Sequence, residues 1–111
     1  MVRLTVALNG VPARSAQDFL DAFRFLALGT RFESGCLNCT AWTDPDSTVR
    51  YVEEWVTEAD MRRRVQSDRF TSLLGIVESA KDPRVQFDFV TTTRGLDYVE
   101  EVRTPPDLNH R

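Results

Sequence analysis

The sequence predicts a single α+β domain of the ferredoxin-like, split β-α-β type, with the element order β-α-β-β-α-β-β. Segments that alternate apolar and polar residues indicate strands, and segments with apolar spacings of three and four indicate helices between them. The length of 111 residues, with 41% hydrophobic and 28% charged, is typical of one globular domain. We therefore expect one antiparallel sheet with both helices on one face.

The first strand and helix have clear signals. Residues 2–9, "VRLTVALN", alternate apolar and polar side chains, which is typical of a half-buried strand. "GVPAR" then breaks the pattern, and Ser15 is a plausible N-cap. Phe19 and Phe23 begin an apolar helical stripe that continues to Thr30.

The same helix carries a second apolar stripe on another side. Phe25, Leu28 and Phe32 form it. A helix that covers one sheet needs only one stripe, so the second indicates either a partner subunit or a helix broken at Gly29.

A hairpin and a second helical region follow. Residues 36–43 and 48–56 read as two strands joined by the turn "DPDST". Thr57 is the next N-cap. Ser67 or Asp68 restarts the helix, which continues with apolar spacing until "KDP" stops it.

The last third predicts two further strands. In residues 84–92 the side chains of Val85, Phe87 and Phe89 fall on one face of a strand. Residues 95–102, "GLDYVEEV", are expected to form an edge strand or an arm. We expect the domain to span residues 1–103, and residues 104–111 to form a loose C-terminal tail.

The charge and hydropathy of the chain argue against nucleic acids and membranes as binding partners. The net charge is −3, and the one basic run, Arg62 to Arg64, has acidic neighbours, so it predicts a solvated helix face rather than a nucleic-acid site. No apolar run approaches the ~18 residues that span a membrane. The N-terminus lacks the pattern of a signal peptide, so the chain is expected in the cytoplasm.

Cys36 and Cys39 stand at C-x-x-C spacing, which raises the alternatives of a redox pair, a metal site or a structural role. In an extended strand they would lie ~10 Å apart and point to opposite faces, which is too far for a disulfide. Zinc needs four ligands, and no second cluster of Cys or His is present. Cys39 is therefore predicted to be a small core residue and Cys36 to cap the turn after Gly35, the alternative being an oxidisable thiol.

Three motifs extend the prediction: "ESGCLNCTAW", "YVEEWVTEADM" and "SDRF". On these motifs and its element order, the sequence resembles the antibiotic biosynthesis monooxygenase-like family of dimeric α+β barrels, which includes quinol monooxygenases. The resemblance covers roughly residues 2–103. It implies a homodimer with a pocket between sheet and helices in each subunit. Because the helices cover only one face of the sheet, we expect the two sheets of the dimer to meet face to face. Catalytic members oxidise quinol-like or polyphenolic aromatics with O2, without flavin, haem or metal.

The E-x-W strand of that family matches Glu53 and Trp55. Strand geometry places Tyr51, Glu53 and Trp55 on one face. Glu53 is then a candidate general base, with Tyr51, Trp55 and Phe70 as the aromatic walls of a substrate site. The alternative is that Glu53 is a rim carboxylate bonded to an arginine and that Trp55 is core.

Where many family members carry histidines, this sequence has Arg64 and Arg69. Either arginine could bind an anionic oxygen of a phenolate or carboxylate, or could be an ordinary surface residue. The only histidine, His110, falls in the predicted tail. No imidazole is therefore expected as a base or haem ligand, and we expect neither a cofactor nor a metal.

Two functions remain open from the sequence. The first is a cofactor-independent monooxygenase that oxidises a small quinol-like or polyphenol-like aromatic with O2. The second is a non-catalytic dimeric module of the same fold that binds a small apolar ligand or serves a neighbouring enzyme. The fold alone does not choose between them.

Overall fold

The structure is a computed structural model that describes residues 1–89 and 93–104. Its elements, in chain order, are β1 (Val2–Asn9), α1 (Ala13–Thr30), β2 (Cys36–Thr43), β3 (Val49–Trp55), α2 (Glu58–Gln66), α3 (Asp68–Ser79), β4 (Asp82–Asp88), β5 (Thr93–Arg94) and α4 (Leu96–Arg103). The five strands form one antiparallel sheet in the order β2-β3-β1-β4-β5. Strand β1 lies at the centre between β3 and β4, as expected for the ferredoxin-like plan, so the predicted fold class is confirmed.

The core lies between one face of this sheet, called here the inner face, and the helices. Alternation within β1 and β3 buries every second side chain on that face. The register sets Leu4 opposite Glu53 and Val6 opposite Tyr51, so the inner side chains of both strands are direct neighbours. Phe23 of α1 and Leu73 of α3 cover them from the helical layer.

The second helical region divides where the sequence predicted a restart. Ser67 has an extended backbone between α2 and α3, and its hydroxyl donates to the Arg64 carbonyl at 2.6 Å. Thr57 caps α2 by accepting from the Asp60 amide at 3.1 Å, as predicted. The cap predicted at Ser15 is wrong, because Pro12 takes the N-cap position of α1 and Ser15 lies within its first turn.

The strand predicted at residues 95–102 is also wrong, because this segment is helix α4. Its buried residues, Tyr98, Val99 and Val102, follow helical rather than alternating spacing. Tyr98 packs on Phe87 of β4, with ring centroids 4.8 Å apart. The strand predicted at 84–92 is observed as β4; residues 90–92 and 105–111, which include His110 and nearly all of the predicted tail, lie outside the described residues.

The other face of the sheet, called here the open face, is polar. Arg3 pairs with Glu54 at 2.8 Å, and Arg50 pairs with Asp44. Arg3, Glu54 and Arg50, with Val52 and other residues of β1, β2 and β3, border a shallow cleft of about 360 Å³. A partner sheet on this face would therefore meet mainly hydrogen-bonding and charged groups.

The second apolar stripe is solvent-exposed in the single chain, and its last residue, Phe32, lies in the turn after α1. Phe25 is 75% exposed, Leu28 57% and Phe32 88%. Helix α1 continues through Gly29 to Thr30, so the alternative of a helix broken at Gly29 is wrong. None of the helices in the described ranges is both long enough and apolar enough to span a bilayer.

Candidate functional site

The candidate site is centred on Glu53, whose side chain is fully buried on the inner face of β3. Alternation along the strand places Tyr51 and Trp55 beside it on the same face, as the sequence predicted. The Tyr51 hydroxyl donates to Glu53 Oε2, and Trp55 Nε1 donates to Oε1 at 2.9 Å. The strand itself therefore supplies two of the donors to this carboxylate.

Arg64 supplies the charge that balances Glu53. It lies on the buried face of α2, one turn from Met61, and its side chain is 1% exposed. Its Nε donates to both carboxylate oxygens, at 3.1 and 3.2 Å, and its Nη2 donates to Oε2 at 2.8 Å. Such two-point contacts between guanidinium and carboxylate are the strong class of charge-assisted hydrogen bond.

The ion pair between Glu53 and Arg64 shifts the pKa of Arg64 itself and of the neighbouring Tyr51. Burial on its own would lower the pKa of Arg64, but the hydrogen bonds and negative charge of Glu53 outweigh burial and raise it. Burial raises the pKa of the Tyr51 phenol, and the nearby charge of Glu53 raises it further. At neutral pH Arg64 is therefore charged and Tyr51 remains a neutral donor.

Aromatic rings enclose this pair. The Arg64 guanidinium lies 5.3 Å from the centre of the Phe70 ring, within the range of a cation–π contact. Tyr51 stacks on Phe23 with ring centroids 5.0 Å apart. The predicted site residues Tyr51, Glu53, Trp55, Arg64 and Phe70 thus lie together in one buried cluster.

Arg69 is the predicted site residue that lies outside this cluster. Its side chain is 55% exposed, and its Nη1 lies 3.6 Å from Glu33 Oε2. The guanidinium rests directly against Gly29 of α1, where a Cβ would overlap Arg69 Nη2. Arg69 is therefore positioned by the absence of a side chain at residue 29.

Glu33 is a site residue that the sequence analysis did not identify. It lies in the turn between α1 and β2, and its Oε2 is 3.7 Å from Arg64 Nη1. Both atoms are buried and have no hydrogen-bond partner among the described residues. The only sequence signal at this position is that Glu33 opens the "ESGC" stretch, so its contact with two arginines depends on how the turn packs.

The two cysteines lie on the same side of β2, which corrects the expectation that they point to opposite faces. A bulge at Leu37 shifts the register, so that Cys36 is opposite Trp55 and Cys39 is opposite Glu53. The extra residue absorbs one step of the alternation, and both thiols face the core.

The predicted core role of Cys39 is confirmed. Its side chain is fully buried, and its thiol donates to the Tyr51 hydroxyl oxygen at 3.3 Å. Burial raises the pKa of the Cys39 thiol to about 12. Burial and then Glu53 also raise the pKa of Cys36, and both cysteines are free. Neither thiol has the lowered pKa of a reactive nucleophile.

Open space lies elsewhere on the described surface. A cleft of about 560 Å³ runs between the exposed stripe of α1 and β2, along Phe25, Leu28 and Thr40. A second, of about 350 Å³, lies beside Val11 and Phe19. Glu53 and Arg64 border neither cleft. Over residues 1–89 and 93–104, no group of three or more His, Cys, Asp or Glu side chains is placed to hold a metal ion.

The sequence profile of the antibiotic biosynthesis monooxygenase family matches residues 1–73, about two thirds of the chain. The chain therefore belongs to the antibiotic biosynthesis monooxygenase family, as its motifs implied. The match includes β1 to α2 and the first half of α3, and hence Glu53, Arg64 and Phe70. No curated protein matches the chain in sequence.

Solved structures share the fold at low sequence identity. One described as a putative antibiotic biosynthesis monooxygenase from Deinococcus radiodurans is 19% identical, with a TM-score of 0.70 over 83% of this chain and 94% of that one. One from Nitrosomonas europaea, with the same description, is 14% identical, with a TM-score of 0.67 over 83% and 100%. A mutant of SnoaB from Streptomyces nogalater, described as a cofactor-independent oxygenase, is 13% identical, with a TM-score of 0.66 over 82% and 93%.

Proposed function

We propose that this protein is a monooxygenase that oxidises a small phenolic or quinol-like aromatic with O2 and without a cofactor. The observation that carries the proposal is the buried Glu53–Arg64 ion pair, enclosed by Tyr51, Trp55 and Phe70, in a chain of the antibiotic biosynthesis monooxygenase family. The structural similarity to SnoaB, a cofactor-independent oxygenase, supports the same reaction class.

The chemistry requires only the substrate and O2. A phenolate is electron-rich enough to react with O2 at a ring carbon, and loss of water from the resulting peroxide gives a quinone. For 1-naphthol the balance is C10H8O + O2 → C10H6O2 + H2O. The substrate supplies all four electrons, one oxygen atom enters the ring and the other leaves as water. The protein has to remove the phenolic proton and stabilise the anion.

The cluster offers groups for both tasks. We assign proton removal to Glu53 and stabilisation of the developing oxyanion to Arg64 and Arg69. Both oxygens of Glu53 already accept hydrogen bonds, so a substrate hydroxyl must replace one existing donor. The Tyr51 hydroxyl is the neutral donor to Oε2 and is the one that we expect to be replaced. Trp55 and Phe70 then provide apolar walls for the ring.

We further propose that the protein acts in the cytoplasm, where thiols stay reduced. We also propose that it forms a homodimer in which the open faces of the two subunits are in contact. The paired charges of Arg3 with Glu54 and of Arg50 with Asp44 favour a contact based on hydrogen bonds. Sedimentation equilibrium at micromolar concentration tests the dimer. Arg3→Glu, which places two like charges at residues 3 and 54 of the open face, should shift it towards monomer, whereas the same charge reversal at the exposed start of α1, Arg14→Glu, should not.

The second candidate is a non-catalytic module that binds a small apolar ligand. The observation that favours it is the complete pairing of Glu53, together with clefts that are bordered by other residues. In that function the ion pair only specifies the packing of α2 against β3.

Oxygen uptake with a panel of naphthols and quinols tests the proposal. We expect uptake above the rate with heat-denatured protein, unaffected by a metal chelator. With ¹⁸O2, one labelled oxygen should appear in each quinone. Uptake that never exceeds the control rate, in a folded protein that nevertheless binds the aromatics, would reject the monooxygenase and support the binding module.

A further inference from the structure

One charged hydrogen-bonding group in the buried cluster is unused. Arg64 directs Nε and Nη2 to Glu53, whereas its Nη1 has no hydrogen-bond partner among residues 1–89 and 93–104. A buried, charged N–H without a partner is costly, because it has lost its hydration without gaining a hydrogen bond. Glu33 Oε2 is the nearest carboxylate oxygen at 3.7 Å, which is beyond hydrogen-bonding distance.

We propose that Arg64 and Arg69 form a binding site for a single oxyanion, a carboxylate or phenolate on an aromatic ligand, and that Glu33 occupies this site when it is empty. The proposal deepens the proposed function by naming the charge of the ligand, and it rests on that function only for the choice of an aromatic ring. On ligand binding, the Glu33 carboxylate moves out into solvent and the ligand oxygen takes its place.

The geometry around Glu33 supports the proposal that its carboxylate occupies the site only when no ligand is bound. Its Oε2 lies between two guanidinium groups, 3.7 Å from Arg64 Nη1 and 3.6 Å from Arg69 Nη1, without a hydrogen bond to either. A ligand oxygen free of the chain could approach Arg64 Nη1 to the 2.7–2.9 Å that is usual for charge-assisted hydrogen bonds. The Glu33 side chain is 25% exposed, so a route to solvent already exists beside it.

The backbone of the turn explains why the side chain, rather than the loop, should move. Arg63 Nη2 donates to the Ser34 carbonyl at 3.0 Å. The Asp60 carboxylate packs against Gly35, whose positive φ of 87° favours glycine. These contacts fix the turn to the start of α2. Rotation of the Glu33 side chain is therefore the smallest change that opens the site.

Charge gives the site its selectivity. Glu33, Glu53, Arg64 and Arg69 together are neutral. Once Glu33 rotates into solvent, the remaining three carry one net positive charge in a partly buried place. A monoanion restores neutrality and a neutral analogue does not, so the site should prefer an aromatic acid or phenolate over its amide or ether.

Isothermal titration calorimetry with 1-naphthoate, and with neutral 1-naphthamide as the matched ligand, tests the proposal. Glu33→Gln removes the competing charge and should tighten naphthoate binding at least about tenfold, the size of one charge-assisted hydrogen bond, with little change for naphthamide. Glu78→Gln makes the same change in net charge at an exposed position near the end of α3 and is the control. It should leave both affinities unchanged.

Gly29→Ala is the second variant, because its Cβ would displace the flexible end of Arg69 while remaining compatible with the helix. It should weaken naphthoate binding to the Glu33→Gln protein. Equal gains from Glu33→Gln and Glu78→Gln, an equal gain for naphthamide, or no naphthoate binding by any variant at millimolar concentration would overturn the proposal. The titration needs no turnover, so this result and that of oxygen uptake can fail independently.

Discussion

Glu53 and Glu54 are neighbours on β3, and each is paired with an arginine, but on opposite faces of the sheet. Glu53 lies on the inner face with Arg64, and their side chains are 0% and 1% exposed. Glu54 lies on the open face with Arg3, and their side chains are 18% and 48% exposed. Both pairs have a shortest N–O distance of 2.8 Å, although Arg64 contacts both oxygens of Glu53 and Arg3 contacts one oxygen of Glu54, so burial is the main difference between them.

The comparison shows how burial changes the dependence of each member of an ion pair on its partner. An exposed pair gains little, because water screens it and solvates either partner when the other is removed. A buried pair has lost that solvation, so each member depends on the other. A protein that needed only stability could place apolar residues at 53 and 64. A retained buried pair at this position is consistent with a functional role, which the proposed monooxygenase supplies.

The largest expected effect is on stability after Glu53→Gln. This change leaves the Arg64 charge buried without its counter-ion and should lower the free energy of unfolding by about 3–5 kcal/mol. Urea denaturation followed by circular dichroism measures it. The double variant Glu53→Gln with Arg64→Met removes both charges and should recover much of the loss. A loss below about 1 kcal/mol for the single variant would show that the inner pair is solvated like the outer one.

Tyr51→Phe should have an intermediate effect. It keeps the ring packed on Phe23 but removes the hydroxyl that donates to Glu53 and accepts from Cys39. Hydrogen bonds to charged groups contribute about 1.5–3 kcal/mol, so a loss in this range is expected in the same denaturation experiment. A neutral or stabilising result would show that Glu53 does not depend on this donor.

The smallest effect is expected for Glu54→Gln on the open face. In the monomer, where the pair with Arg3 is exposed, it should contribute less than about 1 kcal/mol, and less still at high salt, so the measurement is made at a concentration at which the monomer predominates. The Arg3 guanidinium holds the pKa of Glu54 below its usual 4.5. The contribution is therefore present above about pH 4.5 and is lost as the pH falls through the lowered pKa. Wild type and Glu54→Gln should converge in stability on acidification, and a difference that widens in acid would contradict this.

Sequence reasoning predicted the inner face of the sheet well. The strands predicted at residues 2–9 and 36–43 have the observed bounds, and strand geometry placed Tyr51, Glu53 and Trp55 together. Sequence reasoning did not identify which arginine pairs with Glu53. Arg64 is held on another element, and which face of α2 meets β3 is decided by tertiary packing rather than by local pattern.

The features that were missed depend on non-local geometry. The bulge at Leu37 turns both cysteines inward, although an unbroken alternation would have separated them. Glu33 reaches Arg64 and Arg69 only because the turn after α1 packs against α2. The short apolar run in residues 95–102 fits a strand as well as a helix. The segment is a helix in the structure, and in this form Tyr98 packs against Phe87, a contact that the local sequence does not reveal.

The most direct test of the account is the rate of O2 uptake with 1-naphthol by Glu53→Gln relative to Glu54→Gln, both shown to be folded by circular dichroism. Removal of a positioned base typically costs about 10²–10⁴ in rate, so Glu53→Gln should lose at least about a hundredfold, whereas Glu54→Gln should stay close to wild type. Activity in Glu53→Gln close to that of Glu54→Gln would contradict the assignment of Glu53 as the base at the centre of the site.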